Sequence, residues 1–264
     1  MRILPFLIAA FMLFAAPAQA VLLGTTTRDP NGLRRSVVYI ENSAGELCSG
    51  AVIARDLVLT AAHCMMDVAS YRVVAVNRAF RPQRYAVVAM AVHPTFVHGT
   101  TPRTQPGVDL AILKLGQPLS PDYAPLDPRL AVDIDTGNRV TIAGFGLLSE
   151  RQRRTARILR QTDLVSLGPV EVANRVIIVA DRTRLAETTG AGACRGDSGG
   201  PVLAATRGGY RLLGIVSWSS GALRTRQPSA CGGLTAVTPV AEHLGWIIEG
   251  VRSLNGINGS WMGQ

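Results

Sequence analysis

The chain has 264 residues, 47% of them hydrophobic, which is enough for one large or two small hydrophobic cores. Its four cysteines and four histidines show no paired ligand spacing, which argues against a zinc-stabilised fold. The formal net charge of +9 is almost wholly due to arginine, since Lys114 is the only lysine, and no nucleic-acid-binding motif accompanies it. We expect no bound metal, no cofactor and no nucleic-acid partner.

The first twenty residues have the pattern of an export signal. Met1-Arg2 gives a basic start, residues 3–16 form a short apolar core, and Ala18-Gln19-Ala20 forms a small-residue cleavage site. We therefore predict a signal peptide over residues 1–20 and a secreted or periplasmic mature protein without a membrane span. The alternative is an uncleaved membrane anchor, for which the apolar stretch is short.

Short apolar runs separated by turn residues recur along the mature chain. The first six are residues 36–40, 51–53, 57–59, 72–76, 85–92 and 110–115. A second six are residues 139–143, 158–165, 176–179, 202–204, 212–218 and 233–237. Many short strands at near-regular spacing favour an all-β sandwich or barrel. Four prolines between residues 118 and 128 predict an extended linker between the two series.

The end of the chain has a different pattern. Apolar residues at helical spacing predict a helix over residues 241–254, with a stripe of Leu244, Ile247, Ile248 and Val251. Residues 256–264 are predicted to form a loose tail.

Two candidate catalytic side chains lie at the ends of predicted buried strands. His63 belongs to the segment TAAHC (60–64), which follows the run 57–59, and Asp109 opens the segment DLAILKL (109–115). Taken alone, such a histidine is more simply a core residue, and such an aspartate a turn or capping residue. A carboxylate buried there needs hydrogen-bond donors.

The segment GDSGGP (196–201) surrounds Ser198 with glycines, which leave backbone N–H groups uncovered and tolerate positive φ. An oxyanion hole needs such N–H groups. A glycine-rich turn is the alternative for this segment alone. The order His63, Asp109, Ser198 argues against it, because the convergent serine hydrolases differ in that order.

These three segments together resemble the motifs of the trypsin/chymotrypsin family of serine proteases, and the resemblance covers nearly all of the mature chain. It implies an all-β fold of two six-stranded antiparallel β-barrels, with the active site in the cleft between them and a C-terminal helix. Residues 21–130 would form the first barrel, carrying the histidine and the aspartate. Residues 131–255 would form the second barrel, carrying the serine, together with the helix.

The resemblance also implies catalytic roles. Ser198 would attack the scissile carbonyl, His63 would act as general base and then general acid, and Asp109 would orient the imidazole. The backbone N–H groups of Gly196 and Ser198 would hold the oxyanion.

Four cysteines in an exported chain indicate two disulfides with three possible pairings. The resemblance implies Cys48–Cys64 and Cys194–Cys231.

The family pattern implies which residues form the primary substrate pocket: Gly192 at the floor, Ser217, Trp218 and Ser219 on one wall, Gly232 on the other, and Ala193 as a further member. No carboxylate lies at the floor, so we expect an uncharged, apolar residue before the cut.

For activation, we expect the Val21 ammonium, exposed by signal removal, to pair with Asp197. The alternative is an Asp197 that is hydrogen-bonded locally, with a strand beginning at Val21.

The favoured function is that of an exported, monomeric serine endopeptidase acting on protein or peptide substrates. One alternative is a catalytically silent binding module that uses the arginine cluster at residues 151–160. Another is an esterase with the same acyl chemistry. The cluster itself is expected to form a solvated loop and strand edge.

Overall fold

The computed structural model describes residues 24–65, 69–224 and 229–256, and these consist mainly of antiparallel β-strands. The strands are β1 (Thr25–Thr26), β2 (Val37–Asn42), β3 (Leu47–Ala54), β4 (Leu57–Thr60), β5 (Tyr71–Val76), β6 (Pro82–Val92), β7 (Ala111–Leu115), β8 (Arg139–Gly144), β9 (Arg160–Glu171), β10 (Arg175–Ala180), β11 (Pro201–Thr206), β12 (Gly209–Gly221) and β13 (Leu234–Pro239). A 3₁₀ turn at Ala241–His243 leads into the helix α1 (Leu244–Gly256).

The strands close into two barrels, as the family resemblance implied. The first barrel has the order β2-β3-β4-β7-β6-β5. The second has the order β8-β9-β10-β13-β12-β11 and closes because β8 pairs with both β9 and β11. The expected all-β architecture with a C-terminal helix is confirmed.

Alternation along the strands of the first barrel divides their apolar residues between two cores, the barrel interior and the layer between the barrels. In β2, Val38 and Ile40 fill the interior of the first barrel, whereas Val37 and Tyr39 face the layer between the barrels. Phe145 and Ile215 reach that layer from the second barrel. Strands β4 and β7 are buried along their whole length because they contribute to both cores, which explains their uninterrupted apolar sequences.

Both ends of the described chain cross to the opposite barrel. Strand β1 pairs with β9 of the second barrel, although it lies in the segment expected to belong to the first. Helix α1 packs on the first barrel, where a Cβ on Gly250 would lie 2.9 Å from Ile112 Cδ1. Lys114 Nζ in β7 donates to Asp56 Oδ2 at 2.6 Å and to Asn255 Oδ1 in α1 at 3.0 Å.

Several predicted features fall outside the described residues. They are the signal peptide at 1–20, Val21 and the tail beyond Gly256. Over the described ranges, no helix combines the length and the apolar character needed to cross a membrane.

Candidate active site

His63 is placed by the rim of the first barrel. Strand β4 ends at Thr60, and a 3₁₀ turn at Ala62–Met65 turns the chain so that His63 faces the cleft. The disulfide Cys48–Cys64 ties this turn to β3. The backbone N–H of His63 donates to Asp109 Oδ1 at 2.9 Å, and His63 Nδ1 lies 2.8 Å from Asp109 Oδ2. The imidazole is therefore held at both its backbone and its ring.

Asp109 lies just before β7, and its side chain is fully buried between the barrels. Its carboxylate accepts hydrogen bonds from the backbone and ring of His63 and from the hydroxyl of Ser217 in β12. Burial raises the pKa of Asp109, but the charge of His63 and these hydrogen bonds outweigh burial, so the pKa lies below its ordinary value. Asp109 is thus an ionised group without solvent.

The nucleophile candidate sits in a turn that only glycine permits. Gly196 has φ +94° and Gly199 has φ +80°. A Cβ on Gly199 would lie 2.0 Å from Thr60 Oγ1, so the turn at Ser198 packs directly on the strand that leads to His63. The glycines therefore bring the serine against the first barrel.

Ser49 in β3 fastens this turn to the first barrel. Its N–H donates to the Ser198 carbonyl oxygen at 2.8 Å, and its hydroxyl donates to the Gly196 carbonyl oxygen at 2.8 Å. The same hydroxyl accepts the N–H of Phe145 at 3.0 Å. Ser49 therefore fixes the carbonyl groups of Gly196 and Ser198, and with them the orientation of the turn.

Within residues 24–65, 69–224 and 229–256, neither the Gly196 N–H nor the Ser198 N–H has a hydrogen-bond acceptor, whereas the N–H of Asp197 donates to the Cys194 carbonyl at 3.0 Å. Unpaired backbone donors flanking a nucleophile are what a developing oxyanion requires.

The Ser198 hydroxyl itself donates to the Ser217 carbonyl oxygen at 3.4 Å. Among the described contacts it makes no hydrogen bond to His63, although both residues line one cleft. Catalytic hydrogen bonds often tighten only when substrate binds, so this geometry is compatible with the expected roles.

Asp197 is a second buried carboxylate beside Ser198. It accepts hydrogen bonds from the N–H groups of Gly146 at 2.8 Å and Cys194 at 3.0 Å. A Cβ on Gly144 or Gly146 would approach it to 2.3 Å or 2.6 Å, so these glycines make room for it. Burial raises the pKa of Asp197 to about 6, against the effect of the two hydrogen bonds and of the charge of Arg160.

The arginine cluster is only partly solvated. Arg151, Arg154 and Arg157 are exposed as expected, and Arg157 lies 3.7 Å from Glu41. Arg160, however, is 4% exposed, which corrects the expectation for this residue. Its Nη1 donates to three carbonyl oxygens, those of Thr155 at 2.7 Å, Ile158 at 3.1 Å and Gly146 at 3.4 Å. The reason is that β9 begins between β1 and β8, which places this side chain under the loop that precedes it.

Two pockets meet at Ser198. One, of about 830 Å³, is lined by His63, Gly196, Leu47 and both cysteines of the Cys48–Cys64 disulfide. The other, of about 400 Å³, contains three of the predicted pocket residues together with a loop from the first barrel: Ser217, Trp218, Ser219, Thr101, Pro102 and Arg103.

The remaining predicted pocket residues lie behind this wall. A Cβ on Gly192 would lie 2.9 Å from Gly232 Cα, so the two backbones touch. The Gly232 N–H donates to the Ala193 carbonyl at 2.9 Å, and the disulfide Cys194–Cys231 joins the same two segments. None of Gly192, Ala193 and Gly232 is among the described residues that line the 400 Å³ pocket.

Three contributors escaped the sequence reasoning. The hydrogen bond from Ser217 to Asp109, the role of Ser49 and the position of Arg103 all depend on contacts between segments far apart in the chain. No motif in the sequence predicts these contacts. Over the described ranges, the only close group of potential metal ligands is Cys48, His63 and Cys64, and its sulfurs form a disulfide, so they offer no thiolate.

Comparison with known proteins gives a consistent result. A family model described as Trypsin matches residues 23–247. Serine proteinase stubble of Drosophila melanogaster is 30% identical over 243 residues, which cover 83% of this chain and 29% of that protein. Trypsin iota of the same species is 26% identical over 231 residues, covering 82% of this chain and 83% of the relative.

Vitamin K-dependent protein C of Oryctolagus cuniculus is 28% identical over 228 residues, which cover 80% of this chain and 48% of that protein. The chain therefore spans less than half the length of protein C and of stubble. Among solved structures, human heparin binding protein superposes with a TM-score of 0.64 at 23% identity, covering 87% of this chain and 96% of that one, which supports the fold.

The variant Ser217→Ala tests the bond to Asp109. Losing a hydrogen bond to a buried charge costs about 1.5–3 kcal/mol, and losing this one should raise the pKa of Asp109. Because the native pKa is depressed, the stability that the charge contributes is present at neutral pH and is lost as the pH falls through the native pKa, so the variant should lose stability mainly at neutral pH. NMR titration of the carboxyl carbon and denaturation at several pH values measure both effects.

Ser36→Ala is the matched control, since the buried Ser36 hydroxyl donates to the uncharged carbonyl of Ala124. It should reduce stability equally at every pH and leave the pKa of Asp109 unchanged. An unchanged pKa of Asp109 in the Ser217→Ala variant would contradict the hydrogen bond from Ser217 to Asp109.

Proposed function

Because the chain belongs to the trypsin family of serine proteases, we propose that it is an exported serine endopeptidase that works through an acyl-enzyme. The observation that carries the proposal is the buried Asp109 carboxylate, bound to His63 beside Ser198 and its two unpaired N–H groups. The two disulfides support export, since such bonds persist in oxidising compartments.

In the proposed reaction, Ser198 Oγ attacks the scissile carbonyl carbon while His63 Nε2 takes the hydroxyl proton. Asp109 accepts the Nδ1–H and stabilises the imidazolium with its charge. The carbonyl oxygen becomes an oxyanion, which the N–H groups of Gly196 and Ser198 bind, each such donor contributing about 3–4 kcal/mol in the transition state. His63 then gives the proton to the amine nitrogen as the C–N bond breaks, which leaves the acyl group as an ester on Ser198. Water attacks this ester while His63 takes a proton from it, and the proton returns to Ser198 Oγ as the carboxylic acid product leaves.

The path of the proton indicates which part of the substrate each pocket binds. The leaving amine must lie beside His63, so the 830 Å³ pocket that contains His63 is the leaving-group side. The 400 Å³ pocket contains Ser198 but not His63, and it is the acyl side.

An uncharged, apolar residue before the cut fits the acyl side, because the described residues that line this pocket include Arg103 and Arg195 but no acidic residue. The backbones of Gly192 and Gly232 also leave no space for a carboxylate at the expected floor.

The alternatives use the same surface differently. A silent binding module is compatible with the fold, and human heparin binding protein, named for a binding activity, has that fold. A binding module, however, does not require a buried carboxylate paired with a histidine next to unpaired N–H groups. An esterase would use the same groups on a different acyl bond.

Ser198→Ala should lower turnover of a peptide substrate by about 10⁶-fold, because the hydroxyl is the only attacking group. A serine-directed phosphonate should label the native protein stoichiometrically and leave the variant unlabelled, as read by mass spectrometry. Circular dichroism controls for folding of the variant. Absence of labelling in correctly processed native protein would favour the binding module.

Cleavage of a peptide library should reveal an apolar residue directly before the cut. The physical reason is that Arg103 repels lysine and arginine, and that the described lining of the acyl-side pocket offers no carboxylate to bind them. Cleavage sites are identified by mass spectrometry of the products, with the Ser198→Ala protein as the blank. A profile dominated by arginine would refute this specificity.

We also propose that the mature N-terminus activates the enzyme by pairing with Asp197. Thr26 of β1 pairs with Arg160, and Arg160 pairs in turn with Gly144, which adjoins Asp197. Strand β1 is thus held on β9, at the end of β9 that pairs beside this carboxylate. The charge of an ammonium there would replace the solvent that burial removes.

A chain that begins at Val21 should be fully active, whereas one that begins at Thr25 or carries an additional N-terminal alanine should lose at least about tenfold in kcat/KM. Without the ammonium, the pKa of Asp197 is raised, so the free energy of unfolding should fall as the pH rises from about 4 through 6 and the buried carboxyl ionises. Pairing of Asp197 with the ammonium should abolish this fall. Denaturation of the three chains across this range measures it. Equal activity of all three chains would indicate that Asp197 is held by its local hydrogen bonds alone.

A further inference from the structure

We propose that Arg103 makes the acyl-side pocket selective for substrates with a carboxylate side chain upstream of the residue before the cut. The inference rests on the proposed protease function and adds a substrate class to it. Arg103 lies in the loop between β6 and β7, and its guanidinium carbon is 5.0 Å from the centre of the Trp218 ring. Both residues line the pocket that contains Ser198.

The loop that carries Arg103 is rigidly held by Gln105, which is fully buried. The Gln105 amide nitrogen donates to the Val97 carbonyl at 2.9 Å and to Thr100 Oγ1 at 2.7 Å. Its oxygen accepts the N–H groups of Val97 at 3.0 Å and Gly107 at 2.8 Å. Both N–H groups and the oxygen of the Gln105 amide therefore form hydrogen bonds within the loop. These bonds hold the loop, and with it the backbone of Arg103, in one position.

Stacking on Trp218 leaves the donors of Arg103 available. A guanidinium that lies over an aromatic ring keeps its N–H groups at its edge, where they match the two oxygens of a carboxylate. Over the described ranges, Arg103 has neither an ion pair nor a hydrogen-bond acceptor. The other arginine of the pocket, Arg195, is already paired with Glu150 at 2.7 Å.

Trp218 itself has an unsatisfied group. Its indole Nε1 is buried and has no hydrogen-bond partner among the described residues. That N–H is closed off from the pocket, so the free guanidinium of Arg103 is the group that makes this end of the pocket complementary to an anion, and none of the described residues lining the pocket is acidic.

The identity of the partner follows from where the pocket lies. A substrate that occupies the acyl side continues as an extended chain away from Ser198, and successive residues advance about 3.3 Å. A side chain two to four residues before the cut can therefore reach the stacked pair while the apolar residue occupies the part of the pocket nearest the serine. Aspartate or glutamate at one of these positions is the class that Arg103 recognises.

The test uses peptidyl phosphonates. The residue at the reactive end, which takes the place of the residue directly before the cut, is apolar. Asp or Asn stands at the second, third or fourth residue counted from that end. The rate of labelling of Ser198 reports recognition without requiring turnover. At one of these positions, the native protein should react about five- to tenfold faster with the Asp probe than with its Asn counterpart, and salt should reduce the ratio. Arg103→Gln should bring the ratio to about one, and Arg103→Glu should invert it.

Arg129→Gln is the matched control, because it removes an arginine charge outside both pockets and should leave the ratio unchanged. Equal rates for Asp and Asn probes in the native protein, or a preference that persists in Arg103→Gln, would overturn this inference alone. Failure of every probe to label Ser198 would instead overturn the proposed function and, with it, the inference.

Discussion

A fully buried, ionised carboxylate is the constraint on which this structure depends. Asp109 lies between the barrels, and burial without donors would cost several kcal/mol. His63 supplies two donors from the first barrel, and Ser217 supplies one from the second. The charge is therefore tolerated only when the two barrels are docked in register. Folding of the interface and orientation of the imidazole are one event.

Asp197 shows the opposite solution to the same problem. It is as deeply buried as Asp109, but its direct donors are two backbone N–H groups, and its pKa remains near 6. Thus the charge of Asp109 is stabilised by the described residues, whereas Asp197 takes up a proton at about pH 6. The difference between the two pKa values follows from the number and charge of the donors that each carboxylate has.

The sequence allowed much of this to be predicted. Each of the twelve apolar runs overlaps a barrel strand, because alternation and turn residues act locally along the chain. The segments around His63, Asp109 and Ser198 carry motifs whose spacing is independent of the details of packing. What escaped prediction depends on contacts between distant segments. Arg160 resembled its solvated neighbours in sequence, yet the strands on either side enclose it. Likewise, nothing in residues 93–110 indicates that Arg103 reaches a tryptophan more than one hundred positions later.

The ends of the chain fasten the two barrels from outside, and Lys114 has a part in this. As the only lysine of the sequence, it is sealed between Asp56 and helix α1, with its side chain 2% exposed. The folded protein accordingly presents no lysine amine to solvent. For an amine-directed reagent, whether a fluorophore, a crosslinker or a coupling resin, the primary amine that remains besides this buried lysine is the α-amino group of the chain. Such reagents therefore attach at a single end of the molecule, and their rate of reaction reports whether that end is free or enclosed.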